Sequence, residues 1–205
     1  MRTIRTCAAL LLCTALITVW GCNKGGEKAA APGKSAEETR LSQEPVTTES
    51  IYAAAKAGNV DDVRRFLARG VNANSFDAEG YAPLHYASAG GFSEAARALL
   101  DKGADVNMIT QDGITPLHSA SMSGNAATAT LLLDRGAKVL AQDNNGMTPL
   151  HTAALKGNQA VAEVLLARGA DVNFMTKTQW TPMRVAQYGN HPEMVEFLKK
   201  HGATQ

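Results

Sequence analysis

The chain has 205 residues, with 20 lysines and arginines against 19 aspartates and glutamates, and its formal net charge is +1. Nucleic-acid binding depends on clustered cationic charge, and this balance gives no electrostatic basis for it. All three cysteines lie within the first 22 residues, which excludes disulfides, a cysteine nucleophile and a thiolate metal site from the rest of the chain.

Residues 1–21 have the pattern of a secretory signal peptide. Arg2 and Arg5 precede a mainly apolar run from Cys7 to Trp20. This run is shorter than the ~20 residues that a membrane-spanning helix needs. An uncleaved anchor, a buried core helix and an ordinary cleaved signal are the alternatives to lipid attachment. Because the arginines precede the apolar run, an anchor or a lipid would place the rest of the chain outside the cytoplasm.

The signal ends in Val19-Trp20-Gly21-Cys22, which resembles the cleavage box of bacterial lipoproteins. In that family a cysteine is lipidated and becomes the new first residue, and the resemblance implies that Cys22 carries the lipid. Trp20 departs from the family, which has a small residue there. The family retains proteins in the inner membrane through an aspartate after the cysteine. Asn23 therefore favours a periplasm-facing lipoprotein of the outer membrane.

Residues 22–46 are predicted to be a flexible polar tether. The stretch from Asn23 to Lys34 is rich in glycine, alanine and lysine and has almost no apolar side chain larger than alanine. A flexible chain of this length has a root-mean-square reach of roughly 25 to 30 Å, enough to hold a following domain clear of a membrane surface.

From residue 47 onward the sequence repeats every 33 residues. Prolines recur at 83, 116, 149 and 182, and glycines recur at 70, 103, 136, 169 and 202. A period of this length predicts a solenoid of stacked units. Five units are expected in the domain 47–205, at approximately 47–77, 78–110, 111–143, 144–176 and 177–205.

Each unit predicts two helices and a turn. The proline suits the first turn of the first helix, and a glycine such as Gly91 ends that helix. Apolar residues at three- and four-residue spacing, such as Val63, Phe66 and Leu67, predict the buried face of the second helix. The turn-rich segment 110–113 predicts a tight projecting hairpin. The fold class is therefore an all-α repeat solenoid.

Three near copies of Thr-Pro-Leu-His-x-Ala occur at 82–87, 115–120 and 148–153, and a diverged fourth lies at 181–186. This pattern resembles the ankyrin repeat, whose motif recurs every 33 residues. The resemblance implies a module that binds another protein. It also implies that the motif histidines, His85, His118 and His151, join neighbouring segments by hydrogen bonds. One repeat apart, they are too distant to share a metal.

The ends of the array are predicted to be polar caps, which a finite stack needs. The first unit carries a group of charged residues, and the last has Lys199 where an earlier unit has Leu100. The charged residues of the first unit are Lys56, Asp61, Asp62, Arg64 and Arg65. Both ends are therefore expected to face water, and the array is expected to be complete and monomeric.

The third repeat departs from the pattern after its second helix. Lys138 and Leu140 stand where the second repeat has Asp105 and Asn107. The loss of polar turn contacts predicts a looser connection at this point.

Two further repeat positions are candidates for a binding surface. The residue after each hairpin glycine or its equivalent is Tyr81, Ile114, Met147 or Trp180, and late in the first helices come Ala89, Met122, Leu155 and Tyr188. By the ankyrin resemblance both series face the concave side. The polar residues expected at the rim are Glu79, Gln111, Asp112, Asn144, Asn145, Lys156 and Lys177. The apolar side chains either pack among the hairpins or form a groove for a partner protein.

No Gly-x-Ser-x-Gly, phosphate-binding glycine loop or His-Glu-x-x-His is present, which predicts a protein that is not an enzyme and uses no metal or cofactor. The leading hypothesis is a periplasmic, membrane-tethered ankyrin-repeat module that mediates protein–protein interaction through its concave face. The alternative is a structural or protective envelope protein, or an inhibitor of a secreted toxin.

Overall fold

The computed structural model describes residues 35–47 and 49–204. The predictions for the signal peptide, for Cys22 and for the first part of the tether lie outside the described residues. Eleven helices and no β-strand occur in these two ranges. The helices are α1 (Ala36–Gln43), α2 (Ile51–Ala57), α3 (Val60–Ala68), α4 (Pro83–Ala89), α5 (Ser93–Asp101), α6 (Pro116–Ser123), α7 (Ala126–Asp134), α8 (Pro149–Lys156), α9 (Gln159–Ala167), α10 (Pro182–Tyr188) and α11 (Pro192–Lys200).

The repeat units fold as paired helices, which confirms the predicted solenoid. The first helices, α2, α4, α6, α8 and α10, pack against one another in sequence, and the second helices α3, α5, α7 and α9 form the other layer. One continuous core joins the units. Leu84, Leu117 and Leu150 occupy the same position in successive first helices and are fully buried. Each such leucine contributes about 1.5–3 kcal/mol by its removal from water.

The first helices begin and end as their residues dictate. Pro116 opens α6 at a position where its missing N–H is not needed, and the Thr115 hydroxyl accepts a hydrogen bond from the His118 backbone N–H. Gly124 then ends α6 at a φ of +77°, which glycine adopts without strain. In the last repeat Asn190 takes this place at a φ of +58°, a conformation that asparagine tolerates better than most residues.

Four five-residue turns project between successive units, and we call them fingers: residues 77–81, 110–114, 143–147 and 176–180. In each, the backbone N–H of the first residue donates to the carbonyl of the fifth, at 2.9–3.0 Å. Neighbouring fingers also bond to each other, because the N–H groups of Asn144 and Lys177 donate to the carbonyls of Asp112 and Asn145. The predicted hairpins therefore form as hydrogen-bonded turns.

The predicted tether is wrong over its last part, where residues 36–43 form α1 and pack against α3. Ser35 and Glu38 make a capping box, in which each side chain bonds the other residue's backbone N–H at 3.2 Å. The helix then docks through charge. Glu44 pairs with Arg65 at 3.1 Å, and Glu38 pairs with Lys102.

The first unit is not the simple polar cap that its charges predict. Asp62 is completely buried, whereas the equivalent residue in the next repeat is Ala95. The Asp62 carboxylate accepts hydrogen bonds from the Thr47 backbone N–H at 2.8 Å and from the Thr47 hydroxyl at 2.7 Å. It also pairs with Arg65 at 3.0 Å. The segment before α2 therefore closes over this end of the core, because a buried carboxylate requires hydrogen-bond donors.

The third repeat lacks a pair of hydrogen bonds that the first, second and fourth repeats make. Asn107 donates from its side-chain amide to the Gly136 carbonyl at 3.1 Å and accepts from the Lys138 backbone N–H at 2.9 Å. Asn74 and Asn173 make the same two bonds to the repeats that follow them. Leu140 stands at this position in the third repeat and has no polar side-chain atom. The predicted loss of polar contacts is therefore confirmed.

Candidate functional site

The candidate surface is the concave face, which we define by the two predicted series of apolar residues. Tyr81, Ile114, Met147 and Trp180 are the last residues of the four fingers and are half-buried. In the second series Leu155 is half-buried, whereas Met122 is 50% exposed and Tyr188 is 74% exposed. Ala89 is exposed as well. The first helices therefore present large apolar side chains to water beside the bases of the fingers.

The structure brings only some of these residues around one concavity. Tyr81, Ile114 and Met122 line it, together with polar residues of the central fingers and helices. The polar lining residues are Asp112, His118, Ser119, Asp143, Asn144, Asn145 and Thr152. Met147, Leu155, Trp180 and Tyr188 do not line this concavity. The concave face therefore has an apolar patch within a polar rim at its centre, and a separate aromatic cluster at its far end.

The motif histidines hold the finger residues in place. The Nε2 atoms of His85, His118 and His151 lie 3.0 Å from the carbonyl oxygens of Ile114, Met147 and Trp180, respectively. Each Nδ1 accepts a backbone N–H three residues earlier, at 3.1–3.2 Å. The proton of the neutral ring is therefore on Nε2, which donates to the next repeat. This confirms the structural role that the sequence predicts for the three histidines.

These histidines are kept neutral by their surroundings. Burial lowers the pKa of His85, His118 and His151, and this effect outweighs the opposing influence of the backbone hydrogen bonds. A neutral, fully bonded imidazole has no free nitrogen for catalysis or for a metal. Within the two described ranges, no group of three or more His, Cys, Asp or Glu side chains is arranged to hold a metal ion.

An aromatic pair lies at the amino-terminal end of the concave face. The rings of Tyr81 and Tyr86 are 5.7 Å apart, and the Tyr86 hydroxyl donates to Asp77 at 2.6 Å. Burial, together with this bond to a carboxylate, raises the pKa of Tyr86 well above its usual value. Lys56 Nζ lies 5.9 Å from the centre of the Tyr86 ring. This end therefore combines aromatic surface with a cation and an acid.

A second aromatic pair lies at the carboxyl-terminal end. The rings of Trp180 and Tyr188 are 5.3 Å apart in an edge-to-face arrangement. The Arg184 guanidinium carbon lies 4.8 Å from the centre of the Trp180 ring. Aromatic and arginine side chains of this kind carry much of the binding energy in protein interfaces.

Sequence reasoning missed a third apolar series. Phe76, Ile109 and Met175 are 50%, 58% and 53% exposed, and each immediately precedes a finger. Successive members are separated by one and by two repeat lengths, and Gln142 occupies the same position in the remaining repeat. The 33-residue register was the signal that would have found them.

The comparison with known families agrees with the geometry. The family model described as "Ankyrin repeats (3 copies)" matches residues 50–143 and 138–205. The chain is an ankyrin-repeat protein. Ankyrin repeats generally mediate protein–protein interaction and are typically not enzymes. No curated protein matches this ankyrin-repeat protein.

No helix of this ankyrin-repeat protein in residues 35–47 and 49–204 is both long enough and apolar enough to cross a bilayer. Every buried side-chain nitrogen and oxygen of these residues has a hydrogen-bond partner. The polar groups that remain available to a ligand therefore lie at the surface, on the fingers and the exposed positions of the helices.

Proposed function

We propose that this ankyrin-repeat protein binds another protein through its concave face. The observation that carries the proposal is the exposure of Met122 and Tyr188, at 50% and 74%, in one register of the first helices. Stacking of the repeats does not require large apolar side chains at this position, since the second repeat has Ala89 there. Contiguous apolar surface within a polar rim is typical of interaction sites.

The competing interpretation is that these side chains only pack against the fingers. The contact between Trp180 and Tyr188 gives Tyr188 one such partner, at 5.3 Å between ring centres. Most of the Tyr188 surface and half of the Met122 surface nevertheless remain in water. Internal packing therefore accounts for only part of the apolar surface, and we favour the binding groove.

Site-specific photo-crosslinking tests whether a partner contacts this face in the cell. A photoreactive amino acid at position 122 or 188 is expected to give an adduct with a second protein. The matched control is position 140, because Leu140 is also an exposed apolar residue, at 43%, and lies outside the concave face. Adducts from position 140 alone would contradict the proposal. An adduct of two copies of this chain would contradict the predicted monomer.

A structural or protective role is the alternative. A spacer makes no specific contact through its concave face, so the absence of any adduct from positions 122 and 188 would favour it. A toxin inhibitor would instead give an adduct with one secreted protein, and the crosslinking experiment would identify that protein.

We also propose that the protein is a lipoprotein anchored through Cys22 and facing the periplasm, in the outer membrane. The signal-like sequence before Cys22 and the Asn23 that follows support this location. Cys22→Ala is expected to leave an unprocessed precursor and to abolish labelling by a radioactive fatty acid. Normal labelling of this variant would contradict lipid attachment. Fractionation of the two membranes would test the outer-membrane assignment separately.

A further inference from the structure

Arg184 stands in the last repeat at the position of the motif histidines. Its side chain does not make the hydrogen bonds by which those histidines join two repeats. The motif histidines at the equivalent positions, such as His151, are buried and donate to the finger of the next repeat. Arg184 is exposed, and its side chain has no such finger to bond to among the described residues. Its guanidinium instead lies over the Trp180 ring, 4.8 Å from the ring centre.

Arg184 also lacks an acidic partner, in contrast to two arginines that follow second helices. Arg135 pairs with Asp101, and Arg168 pairs with Asp134, each at 2.8 Å. Within the part of the chain that the structure describes, Arg184 forms no ion pair. A guanidinium that is held on an aromatic face keeps its hydrogen-bond donors free at its edge.

The opposite end of the concave face provides a useful contrast. Lys56 lies over the Tyr86 ring, and the Tyr86 hydroxyl is bonded to Asp77. An acid of the protein itself is therefore already present beside that cation and ring. At the other end Thr176 stands at the register position of Asp77. No acid of residues 35–47 and 49–204 pairs with Arg184, and the charge is left for another molecule to match.

The chemistry of this end favours a single carboxylate. A guanidinium offers paired, parallel N–H donors that match the two oxygens of a carboxylate. Trp180 and Tyr188 provide apolar surface directly beside it, which suits an apolar side chain next to the acid. A polyanion would need several free cations. Lys177, in the same finger as Trp180, already donates to the Asn144 carbonyl at 2.8 Å, and Asp112 and Asp143 line the central concavity.

We propose that Arg184, Trp180 and Tyr188 form a recognition site for an Asp or Glu side chain that a partner protein presents next to an apolar side chain. The inference rests on the proposed function and specifies the chemistry of the partner at one end of the concave face.

Peptide display on the full chain tests this inference without a known partner. A random 12-residue library would be selected on wild type and on Arg184→Gln. Peptides from wild type are expected to be enriched in Asp or Glu next to an apolar residue, and this enrichment should disappear with Arg184→Gln. Replacing that peptide Glu by Gln should weaken binding to wild type about tenfold. The same replacement should have no effect on binding to Arg184→Gln.

The matched control is Arg97→Gln, which removes an exposed arginine of α5 that pairs with Glu94 and should leave the selection unchanged. Equal melting temperatures for wild type and Arg184→Gln would show that both are folded. Peptides that lose binding with Met122→Glu but show no acidic preference would overturn this inference and leave the proposed function intact. Failure to select any peptide that is sensitive to Met122 or Arg184 would contradict both.

Discussion

His85, His118 and His151 each join two repeats through both ring nitrogens. Their bonding pattern requires the neutral ring, since Nδ1 accepts a backbone N–H. Burial lowers their pKa in the folded protein, whereas an exposed histidine of the unfolded chain has a pKa of about 6.5. The unfolded state therefore binds protons first as the pH falls. The stabilisation is complete above about pH 6.5 and is lost progressively below it.

The free energy of unfolding should accordingly fall as the pH is lowered from about 7.5 to 5. Each histidine contributes up to about 1.4 kcal/mol per pH unit within this window. Urea unfolding at a series of pH values measures the slope. His118→Gln should remove about one third of it, because one of three titrating rings is lost. A flat profile for wild type would contradict this account.

Leu140 marks the one repeat junction where the asparagine bonds are missing. Leu140→Asn should restore a donor to the Gly169 carbonyl and an acceptor for the Asp171 backbone N–H, as Asn107 provides one repeat earlier. The expected gain in unfolding free energy is about 1–2 kcal/mol for the two bonds. Urea unfolding measures it. Leu140→Ala adds no hydrogen-bonding group, and an equal gain in that control would disprove the explanation.

The position of a residue within the 33-residue repeat predicts its role well when its hydrogen-bond partner lies in the neighbouring repeat. The histidines and Leu140 are examples, because their partners lie at a fixed offset along the chain. Asp62 shows the limit of this reasoning. Its register neighbours are buried, whereas its own charge suggests exposure. The conflict is resolved by Thr47 at the start of the first unit, which donates two hydrogen bonds to the carboxylate.

At the scale of secondary-structure elements, α1 differs from every repeat helix in how it is held. No residue of α1 is buried. Its polar attachments include the ion pairs of Glu38 with Lys102 and of Glu44 with Arg65, and the bond that Arg69 Nε donates to the Ser42 carbonyl at 3.3 Å. Exposed ion pairs contribute about 0.2–1 kcal/mol and are weakened by salt.

Docking of α1 should therefore depend on ionic strength. Hydrogen exchange of the α1 amides should accelerate between low salt and 1 M NaCl, while the amides of α6 and α8 stay protected. Lys102→Gln should accelerate α1 exchange about 1.5- to 5-fold at low salt, which corresponds to the loss of one surface pair. Lys199→Gln removes a pair with Glu196 within α11 and serves as the control. If α1 exchanges no faster in Lys102→Gln than in this control, the charge-based attachment is wrong.

The repeat helices and fingers could be predicted from the sequence because their signals are local. Proline opens a helix and glycine ends it, and each signal recurs at the same spacing. The helix α1 has few apolar residues, so its composition favours a tether. Its capping box, Ser35 with Glu38, is a local signal that favours a helix start. Its partners, Arg65 and Lys102, are distant along the chain, and no periodic pattern connects them to it.

The whole molecule follows from repetition, since each unit of a solenoid contacts only its neighbours. A single period therefore predicts the complete stack, and the concave face arises wherever the fingers meet the first helices. The identity of the partner does not follow in the same way. Function is carried by the side chains on the surface of a fold, and the same fold can present different ones. Here those side chains include Met122 and Tyr188.

The most direct test of the account is chemical crosslinking in the cell, which compares the partner recovered by wild type, by Met122→Ala combined with Tyr188→Ala, and by Leu140→Ala. The concave-face variant should recover the partner at least tenfold less well than wild type. Its melting temperature should change little, because both side chains are at least half exposed. Leu140→Ala should recover the partner as wild type does. Equal recovery by all three proteins would contradict binding through the concave face.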